Sequence, residues 1–155
     1  YSRAQPEKGP IAASLWDTIQ DAQLFLHLRN CLVEVDPAIR DLPQVRINPG
    51  ALVQILTNLL SNASDAGPGS LCIQLRAQLA AATVELRCSD NGVGIPAENR
   101  ARIFEPFYTS KEPGQGTGLG LSISQTLARA AGGELLLEES GASGSTFLLR
   151  LLAAP

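Results

Sequence analysis

The stretch PGALVQILTNLLSNASDA, residues 49–66, carries two separate stripes when wound at helical pitch. Leu52, Ile55, Leu56, Leu59, Leu60 and Ala63 form one continuous apolar face, which a helix must bury against a core. Gln54, Asn58, Asn62 and Asp65 follow the same period on a different face. Asn48 supplies a cap and Pro49 a first helical residue, and Gly67-Pro68-Gly69 stops the run. Asparagine is a mediocre helix former, so two of them one turn apart gain nothing from propensity. The polar face is therefore either a solvated surface or a row of amide oxygens held for a ligand. An amide oxygen suits Mg²⁺, a hard cation that takes oxygen donors.

Outward from this helix, strand and helix patterns alternate. Ser14, with Asp17 three residues on, caps an amphipathic run to about Leu28. Residues 31–36 (CLVEVD) alternate as a strand and stop at Pro37, and 44–48 (QVRIN) read as a second short strand. Residues 70–78 and 83–89 predict an antiparallel hairpin, 119–131 a helix ended by Gly132-Gly133, and 134–138 with 145–152 a closing hairpin. This order predicts an α/β (α+β) fold: a two-layer sandwich with a mixed, mostly antiparallel sheet of about five strands packed by three helices.

At 155 residues, 45% of them apolar and 17% charged, the chain has the size and composition of one globular domain. Twelve basic against fifteen acidic residues give a net charge of −3, and no basic run offsets it, so a nucleic-acid partner is not expected. No apolar stretch reaches the ~18 residues of a membrane helix. Residues 1–10 read as a linker and 153–155 as a tail around a domain at 11–152. Cys31, Cys72 and Cys88 sit in strand-like runs with no metal spacing and read as buried reduced thiols. One histidine leaves no basis for a zinc site, so metal chemistry must use oxygen ligands.

Three further segments could carry chemistry. DNGVGIP, residues 90–96, follows a strand directly, where a carboxylate can accept from an amine and glycines let the backbone approach a ligand. The spacing Gly92-x-Gly94-x-x-Ala97 satisfies the loose dinucleotide fingerprint, but Pro96 and a short charged turn stand where that motif needs a long helix. GQGTGLG, residues 114–120, runs into a helix, and free N–H groups with a helix dipole there suit phosphate; a plain surface loop is the alternative. It lacks the Gly-Lys-Ser/Thr of a Walker loop. IFEPFYTSK, residues 103–111, packs three aromatics into five residues beside Lys111 and reads as an aromatic anchor or, next to a phosphate site, as a lid.

Together these segments resemble, in order, the boxes of the ATP-binding catalytic domain of bacterial sensor histidine kinases. That domain belongs to the GHKL superfamily with the Bergerat fold, shared with gyrase, heat-shock-90 chaperones and mismatch-repair ATPases. The N box is QILTNLLSNASDA, the first glycine box DNGVGIP, the aromatic box IFEPFYTSK, the second glycine box GQGTGLGLSIS, and the last box GSTF at 144–147. The resemblance covers about residues 11–152. It implies that Asn62 holds Mg²⁺ on the triphosphate with Asn58 in support, and that Asp90 reads adenine while Gly92 and Gly94 turn beneath the base. It further implies that Gly116, Gly118 and Gly120, with Thr117, Leu119 and Ile95 nearby, frame the nucleotide. Thr146 would line the adenine pocket, Lys111 would contact phosphate, and 104–118 would form a mobile lid over ATP.

The hydrolytic relatives place a water-activating glutamate where Asn58 stands, and an amide cannot act as a general base. That departure implies transfer of the γ-phosphoryl group to a protein side chain. Asp65, where many sensor kinases have a basic residue, resembles the nitrogen-regulation and dicarboxylate-sensing subgroup. His27 lacks the acidic neighbour of a phosphoacceptor and reads as an ordinary helix histidine. The acceptor histidine would then sit on a separate dimerisation domain of the same kinase, which signals to a response regulator. The resemblance implies a domain monomeric by itself, from the cytoplasmic part of a membrane-bound homodimeric kinase. A hydrolytic ATPase, a non-catalytic nucleotide-docking module and a serine kinase of the anti-sigma type remain alternatives.

Overall fold

Residues 11–24, 31–67, 71–109 and 118–155 are described by a computed structural model. Along them run α1 (Leu15–Gln23), β1 (Cys31–Val35), α2 (Pro49–Ser64), β2 (Leu71–Ala80), β3 (Thr83–Asp90), α3 (Gly120–Ala130), β4 (Glu134–Gly141) and β5 (Gly144–Leu152). Short 3₁₀ turns lie at Pro37–Asp41 and Ala97–Asn99. The Ser14 hydroxyl accepts from the Asp17 N–H at 3.2 Å, and the Asn48 side chain accepts from the Gly50 N–H at 2.8 Å. These caps start α1 and α2 where the sequence places them.

The five strands form one sheet in the order β1-β2-β3-β5-β4, with β1 parallel to β2 and every other pairing antiparallel. All six residues of the apolar stripe on α2 are 3% exposed or less. They share the core with Ile73 and Leu75 of β2, Val84, Leu86 and Cys88 of β3, and Phe147, Leu149 and Leu151 of β5. Strand side chains alternate between faces, so the intervening residues look away from the helices. There Arg87 grips Glu138 through two hydrogen bonds of 2.7 and 2.9 Å, and Arg150 meets Glu85 at 3.0 Å.

The pairing of β4 with β5 contains one irregularity that positions the site. Leu137 faces Phe147, but Glu139 faces Thr146 and Ser140 faces Ser145, so Glu138 is an extra residue. A bulge of this kind shifts the alternation by one. Ser140, which uninterrupted alternation would turn outward, is brought to the helix side, where its hydroxyl pairs with Ser145 at 2.8 Å.

Two expectations about the course of the chain differ from the structure, and a third lies outside the described residues. Residues 44–48 do not form a strand: Val45 alone makes isolated bridges, to Ala13 and to Ala153, and is fully buried. Pro43 and Pro49 flank the segment and remove the donors a longer ladder needs. The segment expected as a tail is tied down, since Ala153 N–H donates to Ala82 and Ala154 N–H to Gln44, both at 2.8 Å. Helix α1 ends at Gln23, and the expected continuation to Leu28 passes into residues outside those described, as does His27.

Leu60 lies at the middle of the α2 stripe with no exposed surface. Leu60→Ala is expected to lower unfolding free energy by about 2–5 kcal/mol in a denaturant titration, through lost transfer energy plus the cavity left behind.

Candidate functional site

A cavity of about 430 Å³ opens where α2, the start of α3 and the loop after β3 converge. Asn58 and Asn62 enter it from α2 and Asp65 from the residue that ends the helix, so three of the four polar-stripe residues line a ligand-sized space, while Gln54 lies outside it and is exposed. Asp90, Gly94 and Ile95 enter from β3 and its loop, and Gly118 and Gly120 from the approach to α3.

Asp90 owes its aim to strand alternation. Val84, Leu86 and Cys88 face the helices, so Asp90 at the same parity does too, at the open end of the sheet opposite Ile73. Its Oδ1 accepts from the Gly92 N–H at 2.9 Å, and the carboxylate also accepts from the backbone N–H of Ser145. Burial pushes the Asp90 carboxyl above the usual carboxylate range, and these two donors pull it partway back. The carboxylate keeps spare acceptor capacity toward the cavity.

The amide stripe is organised differently. Asn58 Nδ2 donates to the Gly120 carbonyl at 3.1 Å and to Ser124 Oγ at 3.0 Å, which ties the middle of α2 to the first turn of α3. The Asn62 side chain makes no hydrogen bond among the described residues and lines the cavity. Ser145, also lining it, pairs with Ser140, whose hydroxyl accepts from the Ile95 N–H at 2.8 Å. Arg100 secures the same junction, donating to Ile95 O at 3.0 Å and Ser140 O at 2.8 Å. Phe104 meets Phe147 edge to face with ring centres 6.2 Å apart, so the aromatic segment is anchored on the cavity wall.

Of the residues singled out in the sequence, Asn58, Asn62, Asp65, Asp90, Gly94, Ile95, Gly118 and Gly120 come together around this cavity. Leu119 precedes α3 without lining it, and Leu121 takes its place. Gly92 is buried against the end of α2, where a Cβ would strike the Ala66 carbonyl. It allows that crossing and does not line the cavity. Thr146 requires correction. Strand parity turns it to the far face, where its hydroxyl meets Ser89 at 2.8 Å, and Ser145 faces the cavity instead. Lys111, Gly116 and Thr117 lie outside the described residues, as does 110–117 of the expected lid. Phe107, at the described edge of that segment, is 74% exposed with φ of 66° and donates its N–H to Gly118 O at 2.8 Å.

Sequence inspection missed Ser145, Ser140 and Ser124. The GSTF box pointed to this turn of chain, and counting parity back from the apolar run of β5 would have selected Ser145. Nothing in the sequence signals the bulge that brings Ser140 inward.

The model of the histidine kinase-, DNA gyrase B- and HSP90-like ATPase family matches residues 47–155. The two-component sensor PprA of Pseudomonas aeruginosa is 44% identical over 137 residues, 83% of this chain and 15% of PprA. The C4-dicarboxylate transport sensor protein DctB of Rhizobium meliloti is 39% identical over 156 residues, 95% of this chain and 24% of DctB. Full-length ShkA, solved in complex with AMPPNP, superposes with a TM-score of 0.75 at 25% identity, over 92% of this chain and 32% of ShkA. This chain belongs to the histidine kinase-, gyrase B- and HSP90-like ATPase family, as a catalytic ATP-binding domain of the sensor histidine kinase kind. It spans under a quarter of the length of either curated relative.

Two measurements check this geometry. At Gly118 φ is +69° and a Cβ would collide with the Phe107 backbone, whereas at Gly120 the nearest atom is 3.6 Å away, on Asn58. Gly118→Ala is expected to cost more than about 1 kcal/mol in thermal unfolding and Gly120→Ala no more than about 0.5 kcal/mol. Because the Asp90 carboxyl is raised in the folded state, folding binds extra protons in acid, and its contribution to stability falls as pH rises through that raised value. Asp90→Asn should therefore gain stability relative to the parent from about pH 4 upward, then level off, in unfolding curves taken across pH.

Proposed function

We propose that this domain binds Mg²⁺·ATP in the cavity and hands the γ-phosphoryl group to a histidine on a separate dimerisation domain of the same sensor kinase. The observation that carries the reading is the placement of the half-buried Asp90 carboxylate across one cavity from the Asn58–Asn62 amides and the start of α3. Asp90 would accept from the exocyclic amine of adenine, with Ser145 beside it. The N-terminus of α3 would face the phosphates, its free N–H groups and dipole complementing negative charge. ShkA, a protein with a domain of the same fold, was solved in complex with AMPPNP, which supports an adenine nucleotide as the ligand.

The donors present fit a magnesium ion that arrives on the nucleotide. Among the described residues no group of three or more His, Cys, Asp or Glu could hold a metal unaided. Asn58, Ser61, Asn62 and Asp65 instead offer an all-oxygen wall, and Mg²⁺ is commonly held by few protein groups together with substrate phosphates. Asn62 would hold the ion, which would neutralise phosphate charge. Phosphoryl transfer needs positioning and charge stabilisation more than covalent help from the protein.

With an amide at position 58, this wall has no carboxylate in the place where the hydrolytic relatives activate water, which favours transfer over hydrolysis. Lys111, Gly116 and Thr117 are assigned to phosphate contact, and Asp65 to the cavity rim. The curated relatives are far longer than this chain, and PprA is named as a two-component sensor, which supports an acceptor domain and a response regulator as partners. Among the described residues no helix is long and apolar enough to cross a membrane; we place the domain on the cytoplasmic side of its parent kinase.

Calorimetric titration with a non-hydrolysable ATP analogue tests the assignment. The parent should bind in the presence of Mg²⁺, and Asn62→Asp or Asp90→Asn should each weaken binding by about ten- to a hundredfold without unfolding the domain. Supplied with a dimerisation domain, both should lose phosphotransfer. Parent-like binding by either variant removes that residue from the site, and steady ATP turnover by the isolated domain would favour the hydrolytic alternative.

A further inference from the structure

Ser124 has no exposed surface, although it is polar and lies one turn into α3. A buried hydroxyl needs a partner, and Ser124 finds Asn58, whose Nδ2 donates to it at 3.0 Å and to the Gly120 carbonyl at 3.1 Å. A carbonyl only accepts, so the amide nitrogen and not the oxygen must face α3. Both N–H groups of Asn58 are then used. Its Oδ1 is the remaining polar atom of a side chain that lines the cavity, and it accepts only a long contact, 3.5 Å, from Gln54 Nε2.

We propose that Ser124 is a positioning residue. Together with the Gly120 carbonyl it locks the Asn58 amide with its oxygen turned to the cavity, and so holds an acceptor ready for the hydrated cation carried by a nucleoside triphosphate. The same two bonds set the distance between the metal-side helix and the phosphate-side helix end. The inference rests on the nucleotide reading of the site. Removing the Ser124 hydroxyl leaves one Asn58 N–H unpaired in a dry position. The amide then relieves that loss by rotating, which withdraws the oxygen.

The test uses the full 155-residue chain and titrates AMPPNP at a series of Mg²⁺ concentrations. Ser124→Ala should raise the Mg²⁺ concentration needed for half of the metal-dependent gain in affinity by about five- to tenfold, with little change in metal-free binding. Asn58→Ala should do the same, and the double variant should be no worse than Asn58→Ala alone, because one residue acts through the other. Should Ser124→Ala fail to fold, Ser124→Cys keeps the size and a weak acceptor and should shift the Mg²⁺ requirement in the same direction by less. Equal weakening with and without Mg²⁺, additive effects in the double variant, or an unchanged Mg²⁺ requirement would overturn the proposal. A parent chain whose AMPPNP binding ignores Mg²⁺ overturns the site reading as well, an outcome distinct from a Mg²⁺-dependent parent with an indifferent Ser124→Ala.

Discussion

A carboxylate taken partly out of water has to be given donors or it surrenders its charge. Asp90 stands under that constraint at the end of β3, and the architecture around it is the way the constraint is met. One donor is the Gly92 N–H, which requires the chain to turn at once after the strand and cross the end of α2. The other is the Ser145 N–H, which requires β5 to lie beside β3 in the observed register. The β4–β5 pairing beyond the bulge brings the Ser145 hydroxyl to Ser140 and, through it, to the Ile95 N–H. Loop, hairpin and helix end are thereby joined around one acid group.

Helix α2 connects this arrangement to the core. Its apolar stripe is buried against the sheet and fixes the rotation of the helix about its axis. Rotation about the axis is a single degree of freedom, so burying one face determines where the other points. Asn58 and Asn62 consequently face the cavity as a by-product of packing, and Asn58 extends the register to α3 through its paired hydrogen bonds. Stability and site geometry are coupled here through one rigid element.

The features legible in the sequence were those carried by period. Eleven positions from Leu52 to Asn62 sufficed to separate a core face from a polar face, and alternation in β3 carried over to the aim of Asp90. The failures have a common physical origin, in that each depends on pairing and not on local pattern. Residues 44–48 alternate like a strand yet find partners only at Val45. Thr146 lies in the correct box but on the wrong side of the sheet, a matter of parity that short motifs leave open. The contact between Asn58 and Ser124 spans 66 positions, and neither residue names the other in the sequence.

The extra residue at Glu138 divides β4 into two phases. Before it, inward positions hold Leu135 and Leu137 and belong to the core; after it, the inward position holds Ser140 and belongs to the cavity wall. Regular pairing at the same length would set Glu139 opposite Ser145 and carry a charged side chain to the place the serine hydroxyl now occupies, whereas losing Glu138 alone would leave Ser140 opposite Ser145. At its present length the strand thus relies on the bulge to keep an acid out of the cavity wall.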